Sequence, residues 1–141
     1  MFLLDTHVVS EARRPGRLPK PVAAWFNRAN PDEMFVSAAT FLEIEFGVRR
    51  LERRDPRQGA ILRKWKSESL AAAFSGRVLP VDQTIAERCA AMHVPDPRPL
   101  LDSIIAATAI VHRLTLVTRN LRDFAGVGAR MLNPWDETAA E

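Results

Sequence analysis

Phe2-Leu3-Leu4-Asp5-Thr6-His7-Val8-Val9-Ser10-Glu11 is the stretch on which the reading of this chain turns. Met1 to Leu4 is an unbroken apolar run, as expected of a short strand covered on both faces. Asp5 then stands at its carboxyl end. The segment through His7, Val8, Val9 and Ser10 toward Ala12 reads as a helix, with Thr6 or the nearby turn as its cap. A buried strand that passes directly into a helix is the opening of an α/β fold with a parallel sheet.

The same alternation recurs along the chain. Arg14 to Pro21 interrupts regular structure, and Val22, Ala23, Phe26 and Ala29 then lie on one helical face. Asn30-Pro31-Asp32 is a turn before a second strand, Met34 to Val36. Ser37 is placed to cap the helix that follows, on which Thr40, Glu43, Gly47 and Arg50 share one side beside the apolar stripe Ile44, Val48 and Leu51. Gly47 weakens that helix intrinsically, which suggests a close approach to another backbone. Asp55-Pro56 ends it, and Ile61, Leu62 and Trp65 begin a further helix expected to run to about Phe74.

Val78-Leu79-Pro80-Val81 reads as an edge strand, because Pro80 has no N–H for a ladder. Thr84 and Glu87 have capping-box spacing. Val94 to Leu100 must be a loop, its prolines being too close together for a helix. Leu101 to His112 is a largely apolar helix, Leu114 to Val117 a strand, and Arg130 to Leu132 a last strand after the turn at Gly126 and Gly128. The expected fold class is α/β: three layers, with a central, mainly parallel sheet of four to five strands flanked by helices. A chain of 141 residues suits one domain, here expected over 1–135 with a short C-terminal tail at 136–141.

Composition removes several classes. An apolar share of 47% is ordinary for a folded chain and argues against disorder. No run approaches the roughly 18 apolar residues of a membrane span, and the early Asp5 reads against a secretion signal. Cys89 is the one cysteine, so no internal disulfide forms and a reducing cytoplasm is the expected location.

Asp5, Glu43, Asp102 and Asp123 are far apart in sequence, yet each falls where a parallel α/β fold gathers functional groups, outside the carboxyl ends of its strands. Asp5 follows a strand, Glu43 and Asp102 project from helices, and Asp123 lies in the loop after Val117. Taken singly, each has a structural reading: a turn, a surface helix position, an N-terminal helix residue, a turn again. Together they would repel one another unless they held a cation. Oxygen ligands select Mg²⁺, with Mn²⁺ as a substitute, whereas His7, His93 and His112 lack Zn²⁺ ligand spacing.

Such an ion activates water and neutralises phosphate charge, so the chemistry expected is phosphodiester hydrolysis. Asp102, in the first turn of its helix, is expected to be favoured as the carboxylate by the helix dipole. Thr6, Thr118 and Asn120 are supporting candidates that orient a ligand or water; capping and turn formation are the competing roles of Thr6 and Asn120.

The net charge is only +3, but Arg49, Arg50, Arg53, Arg54, Arg57, Arg63, Lys64 and Lys66 are opposed locally by only Glu52 and Asp55. This stretch suits a phosphate backbone, an acidic partner or simply a solvated helix face. Arg49, Arg50, Arg119 and Arg122 are the candidate substrate contacts. The alternative to an enzyme is a noncatalytic nucleic-acid-binding module built on these arginines.

The chain resembles the PIN-domain ribonucleases, in particular their VapC-like toxin branch. The resemblance is carried by Phe2 to Glu11, by Ser37-Ala38-Ala39-Thr40-Phe41-Leu42-Glu43-Ile44 with Gly47, by Leu101-Asp102-Ser103-Ile104-Ile105-Ala106-Ala107-Thr108-Ala109, and by Leu116 to Phe124. The ending Leu132-Asn133-Pro134-Trp135 is similar to the FitB-like subgroup. It implies a PIN-like fold, an acidic Mg²⁺ centre at Asp5, Glu43, Asp102 and Asp123, and an RNA-cleaving toxin. It also implies a cognate antitoxin, a homodimer, and promoter DNA reached through the antitoxin complex; the noncatalytic alternative is then a nucleic-acid or antitoxin-binding module. His7 stands where this family's opening turn usually has asparagine, and Arg113 where it often has glycine.

Overall fold

The computed structural model describes residues 1–136. The expected tail, Asp136 apart, lies outside the described residues. Five strands form one sheet: β1 (Phe2–Leu4), β2 (Met34–Ser37), β3 (Val78–Leu79), β4 (Thr115–Val117) and β5 (Met131–Leu132). Their order is β3-β2-β1-β4-β5, and every pairing is parallel. β3 is an edge strand and stops before Pro80, as the missing N–H requires.

β1 is central because its residues are apolar in both directions. Leu3 pairs with Leu116 and Leu4 with Val117. Successive strand residues point to opposite faces, and the core divides accordingly. Leu4 and Val117 belong to one cluster with Val8, Trp25, Val36 and Val48. Leu3 and Leu116 belong to another with Ala39, Ile105, Ala106 and Ala109. Helices therefore cover both faces: α1 (Thr6–Ala12) and α2 (Lys20–Arg28) contribute to the first, α7 (Leu100–Val111) to the second, and α3 (Ala38–Arg54) to both, through Ile44 and Val48 on one and Ala39 on the other. No helix of the described residues is long and apolar enough to cross a membrane.

Several local expectations change. Ser37 does cap α3, accepting from the Ala39 N–H at 3.0 Å. Thr6 does not cap α1: it is the first helical residue, and Asp5 occupies the cap position without a side-chain bond to the helix N–H groups. The Thr84–Glu87 pair is not a capping box either. Asp82 caps α6 (Gln83–Met92) by accepting from the Ile85 N–H at 2.9 Å, which leaves Thr84 inside the helix.

The helix expected to reach Phe74 is α4 (Pro56–Lys64), a π-helical turn at Trp65–Leu70, and α5 (Ala71–Ala73). A wider turn brings residues five apart toward one side. Trp65 and Leu70 thereby both reach the first core cluster.

Gly47 has open space where a Cβ would stand, so no close approach explains it. That role falls to Gly59, where a Cβ would lie 2.4 Å from the Glu52 Cα. α4 therefore folds back on α3 at near backbone contact, and Arg63 clasps Glu52 and Glu45 across the gap. Arg113 has φ +56°, which accounts for the glycine usual at this place in the resembled family.

Candidate active site

The sheet order reverses direction between β1 and β4, since the chain builds β2 and β3 on one side of β1 and β4 and β5 on the other. The crevice outside the carboxyl ends of such a strand pair is where open parallel sheets place their ligands. Asp5 follows β1 there and Thr118 follows β4. The Asp5 N–H donates to the Val117 carbonyl at 3.0 Å, which continues the ladder one residue past β1.

Asp5 is buried, with 3% of its surface exposed, so its carboxylate needs fixed partners. Thr118 Oγ1 donates to Asp5 Oδ2 at 2.8 Å. The same hydroxyl accepts from the Asn120 N–H at 3.0 Å, and Asn120 Nδ2 donates to Asp123 Oδ2. One chain of hydrogen bonds thus runs Asp5, Thr118, Asn120, Asp123. His7 is exposed, with Nδ1 4.0 Å from Asp5 Oδ1.

Glu43 is oriented from a different direction. Thr6 Oγ1 lies 2.8 Å from Glu43 Oε1 and 3.0 Å from Thr40 Oγ1. A carboxylate only accepts, so the single Thr6 proton goes to Glu43 and the Thr40 hydroxyl supplies the other bond. Glu43, Thr6 and Gly47 line a cavity of about 250 Å³ together with Arg13 and Trp65. The open space above Gly47 belongs to this cavity.

Asp102 lies in the first turn of α7 and shares a narrow cleft with Asp123 and Arg98. Burial raises its carboxyl above the ordinary carboxylate range. Repulsion from Asp5, Glu43 and Asp123 raises it further, with His7 opposing. The expected preference of the helix end for a charged Asp102 is thus outweighed. Repulsion fades with distance and with intervening water, so the other three carboxylates lie within electrostatic reach of Asp102. Asp102 and Asp123 border one cleft, and Glu43 lines a separate cavity.

The donor set is entirely oxygen, which fits a hard divalent cation such as Mg²⁺ or Mn²⁺ and suits Zn²⁺ poorly. Among the described residues, no three candidate ligands are already drawn to one point. Asp5, Glu43 and Asp123 are instead held by Thr118, Thr6 and Asn120.

The arginines divide. Arg119 is 3.4 Å from Glu11 Oε1 and stacks over Trp135, with 5.4 Å to the ring centroid. Arg49 pairs with Glu45 at 2.9 Å, and Arg50 and Arg122 are exposed. Sequence reasoning overlooked Arg98, which borders the Asp102 and Asp123 cleft from a loop read only as proline-rich. It also overlooked Arg13, whose guanidinium lies 5.8 Å from the Trp65 ring centroid. Neither carries a local signal, because what makes each notable is a residue distant in sequence.

Comparison with known proteins gives a consistent result. The family model described as PIN domain matches residues 2–129. The toxin FitB of Neisseria gonorrhoeae (strain ATCC 700825 / FA 1090) is 32% identical over 142 residues, covering 97% of this chain and 100% of that protein. The ribonuclease VapC14 of Mycobacterium tuberculosis (strain CDC 1551 / Oshkosh) is 47% identical over 73 residues, 52% of this chain and 70% of that protein. The crystal structure of FitAcB from Neisseria gonorrhoeae superposes with a TM-score of 0.83 at 33% identity, covering 96% of this chain and 99% of the other. The structure of FitAB bound to an IR36 DNA fragment gives 0.83 at 32% identity, covering 96% of each chain.

Proposed function

The chain belongs to the PIN-domain family, and from that premise we propose that it is a Mg²⁺-dependent endoribonuclease and the toxin of a type II toxin–antitoxin pair. The observation that carries this reading is the hydrogen-bonded chain Asp5–Thr118–Asn120–Asp123 at the crevice where the sheet order reverses, with Asp102 beside Asp123. Burial raises the Asp102 carboxyl, and Asp5, Glu43 and Asp123 raise it further, which is unfavourable for a bare protein and useful around a cation. The relatives support it: one is named a ribonuclease and another a toxin.

Asp5, Glu43, Asp102 and Asp123 are the residues that would hold Mg²⁺, with Mn²⁺ as a substitute. Such an ion supplies an acidified water and positive charge beside the phosphate oxygens. Thr118 engages Oδ2 of Asp5 and leaves Oδ1 for an ion. Thr6 likewise engages one oxygen of Glu43, and Asn120 one of Asp123. Such second partners orient ligand carboxylates, and the ion would draw the four together. Arg50 and Arg122, exposed and without an ion pair among the described residues, are available to phosphates along an RNA strand; Arg49 and Arg119 would first exchange Glu45 and Glu11.

The partners proposed are an RNA substrate, a cognate antitoxin and a second copy of the chain, with promoter DNA reached only through the antitoxin complex. A relative that carries DNA in its FitAB assembly supports the last of these. Leu42 and Phe46, one turn apart on α3 and 45% and 50% exposed, support self-association. The whole reading is tested with purified protein and a cellular RNA pool under Mg²⁺ and Mn²⁺ titration. Metal-dependent cutting that stops with chelator is expected; RNA binding without cutting at any metal concentration would favour the noncatalytic module.

A further inference from the structure

Beyond the carboxylates lies a second concavity that the proposed chemistry does not use. It has a volume of about 280 Å³ and is framed by the end of α6, the loop 93–99 and the turn at Gly126. Met92, Pro95 and Val127 give it apolar walls, while Arg88, Asp96 and Arg98 give it polar ones. Arg98 and Val127 also border the cleft that contains Asp102 and Asp123, so the two spaces adjoin.

The loop is braced on both sides. The Arg98 N–H donates to His93 Nδ1 at 3.4 Å, and Arg98 Nη1 donates to the Ala125 carbonyl at 3.3 Å. Gly126 has φ +80°, and even a Cβ there would come within 3.7 Å of Arg98 Nη2. Arg88 and Asp96, in contrast, carry no ion pair or side-chain hydrogen bond among the described residues. Their donors and acceptors are available to a ligand.

We propose that this cavity takes one unstacked base of a single-stranded RNA, guanine in preference to the others, beside the phosphate held at the carboxylates. The proposal rests on the ribonuclease reading and adds its specificity. Single-stranded RNA is recognised by splaying a base out, stacking it on a side-chain surface and bonding its edges. Met92, Pro95 and Val127 offer the surface. Asp96 only accepts, and Arg88 only donates. Guanine presents N1–H and N2–H₂ donors on one edge and O6 and N7 acceptors on another, so it alone satisfies a carboxylate and a guanidinium with two bonds each. Arg98, between the two spaces, meets the phosphate that links that nucleotide to the next.

The test uses short oligoribonucleotides that differ at one central base, titrated against the full chain in chelator so that binding is read without hydrolysis. The guanine oligomer is expected to bind about tenfold tighter than the other three. Asp96→Asn and Arg88→Gln, both at exposed positions, are each expected to reduce that preference below about threefold. Equal affinity for all four bases, or a preference untouched by both substitutions, would overturn the subsite.

Adding Mg²⁺ to the same mixtures reads the two ideas separately. Cutting with no base preference in binding or cleavage removes the subsite and leaves the ribonuclease. Guanine-selective binding lost in Asp96→Asn, with no cutting, does the reverse.

Discussion

Thr118 donates its hydroxyl proton to Asp5 Oδ2 at 2.8 Å, and so joins the ends of the two strands between which the sheet order reverses. Both residues are buried. The contact spans most of the chain, yet it is local in the fold because β1 and β4 are paired in register up to Leu4 and Val117. A buried carboxylate without a donor is costly, so Thr118 serves stability and orientation together.

Thr118→Val keeps the shape and removes the donor. It is expected to destabilise by about 1–3 kcal/mol, because Asp5 loses its donor and the Asn120 N–H its acceptor. If the orientation of Asp5 matters for metal binding, the Mg²⁺ needed for half-maximal RNA cleavage rises about 10- to 100-fold. Thr118→Ser restores both. Urea midpoints and Mg²⁺ titrations of the three proteins decide it; a parental Mg²⁺ dependence in Thr118→Val would show that Asp5 needs no such support.

Asp102→Asn separates function from stability. Removing a ligand charge is expected to lower cleavage on the order of 100-fold or more, with an unchanged circular dichroism spectrum. Stability moves the other way. The Asp102 carboxyl is raised in the folded protein by burial and by its acidic neighbours. A raised carboxyl contributes stability that is fully present below its unfolded value of about 3.9 and is lost as pH rises through the folded value. In chelator, Asp102→Asn should therefore gain on the parent as pH increases from 4 to 8. A constant difference in urea midpoint across that range would show that Asp102 is not held away from ionisation.

The sheet and the origin of Asp5 were readable in the residues because both depend on apolar runs and their interruptions. Phe2-Leu3-Leu4 and Leu114 to Val117 are buried on both faces, and such runs announce themselves. Ser37 was readable as a cap for the same reason: its partner is two residues away. Thr6 and Thr118 were readable as supporting residues, but what was not readable depends on distant partners. Thr6 meets Glu43 across 37 positions and Thr118 meets Asp5 across 113. The spacing of Thr84 and Glu87 fits a cap, but Asp82 two positions earlier takes the helix start. Arg98 becomes interesting only once the loop 93–99 lies against the turn at Gly126.

Two glycines in one helical hairpin should respond oppositely to alanine. At Gly59 the added Cβ would stand 2.4 Å from the Glu52 Cα, which is backbone and cannot swing away. Gly59→Ala is expected to cost about 1–3 kcal/mol or more as α4 is forced off α3. At Gly47 a Cβ meets nothing within 4 Å, so alanine gains its helix propensity, about 1 kcal/mol. Thermal or urea unfolding of both variants checks the signs.

Arg113 sits at φ +56°, a conformation in which an L side chain crowds the following carbonyl. Arg113→Gly is expected to stabilise by about 1 kcal/mol. The bond that Arg130 Nη2 makes at 3.1 Å is to the Arg113 backbone carbonyl, so glycine retains it. An unchanged or lowered urea midpoint would mean that the Arg113 side chain contributes enough elsewhere to offset the strain.

Glu45 gives the acid limb of the stability profile. It accepts from Lys66 Nζ at 2.6 Å, Arg63 Nη2 at 3.0 Å and Arg49 Nε at 2.9 Å. Lys66 first, then Arg63, hold its carboxyl down from 4.5 to about 2. A lowered carboxyl contributes stability that is present above its unfolded value and is lost as pH falls through the folded one. The loss therefore falls between about pH 4.5 and pH 2. Glu45 is 22% exposed, and solvent screens the cluster, so the effect should shrink in high salt. Glu45→Gln is expected to lower the urea midpoint at pH 7 and to flatten the fall between those limits. If the variant and the parent lose stability in parallel down to pH 2, the clasp between α3 and α4 owes nothing to this charge.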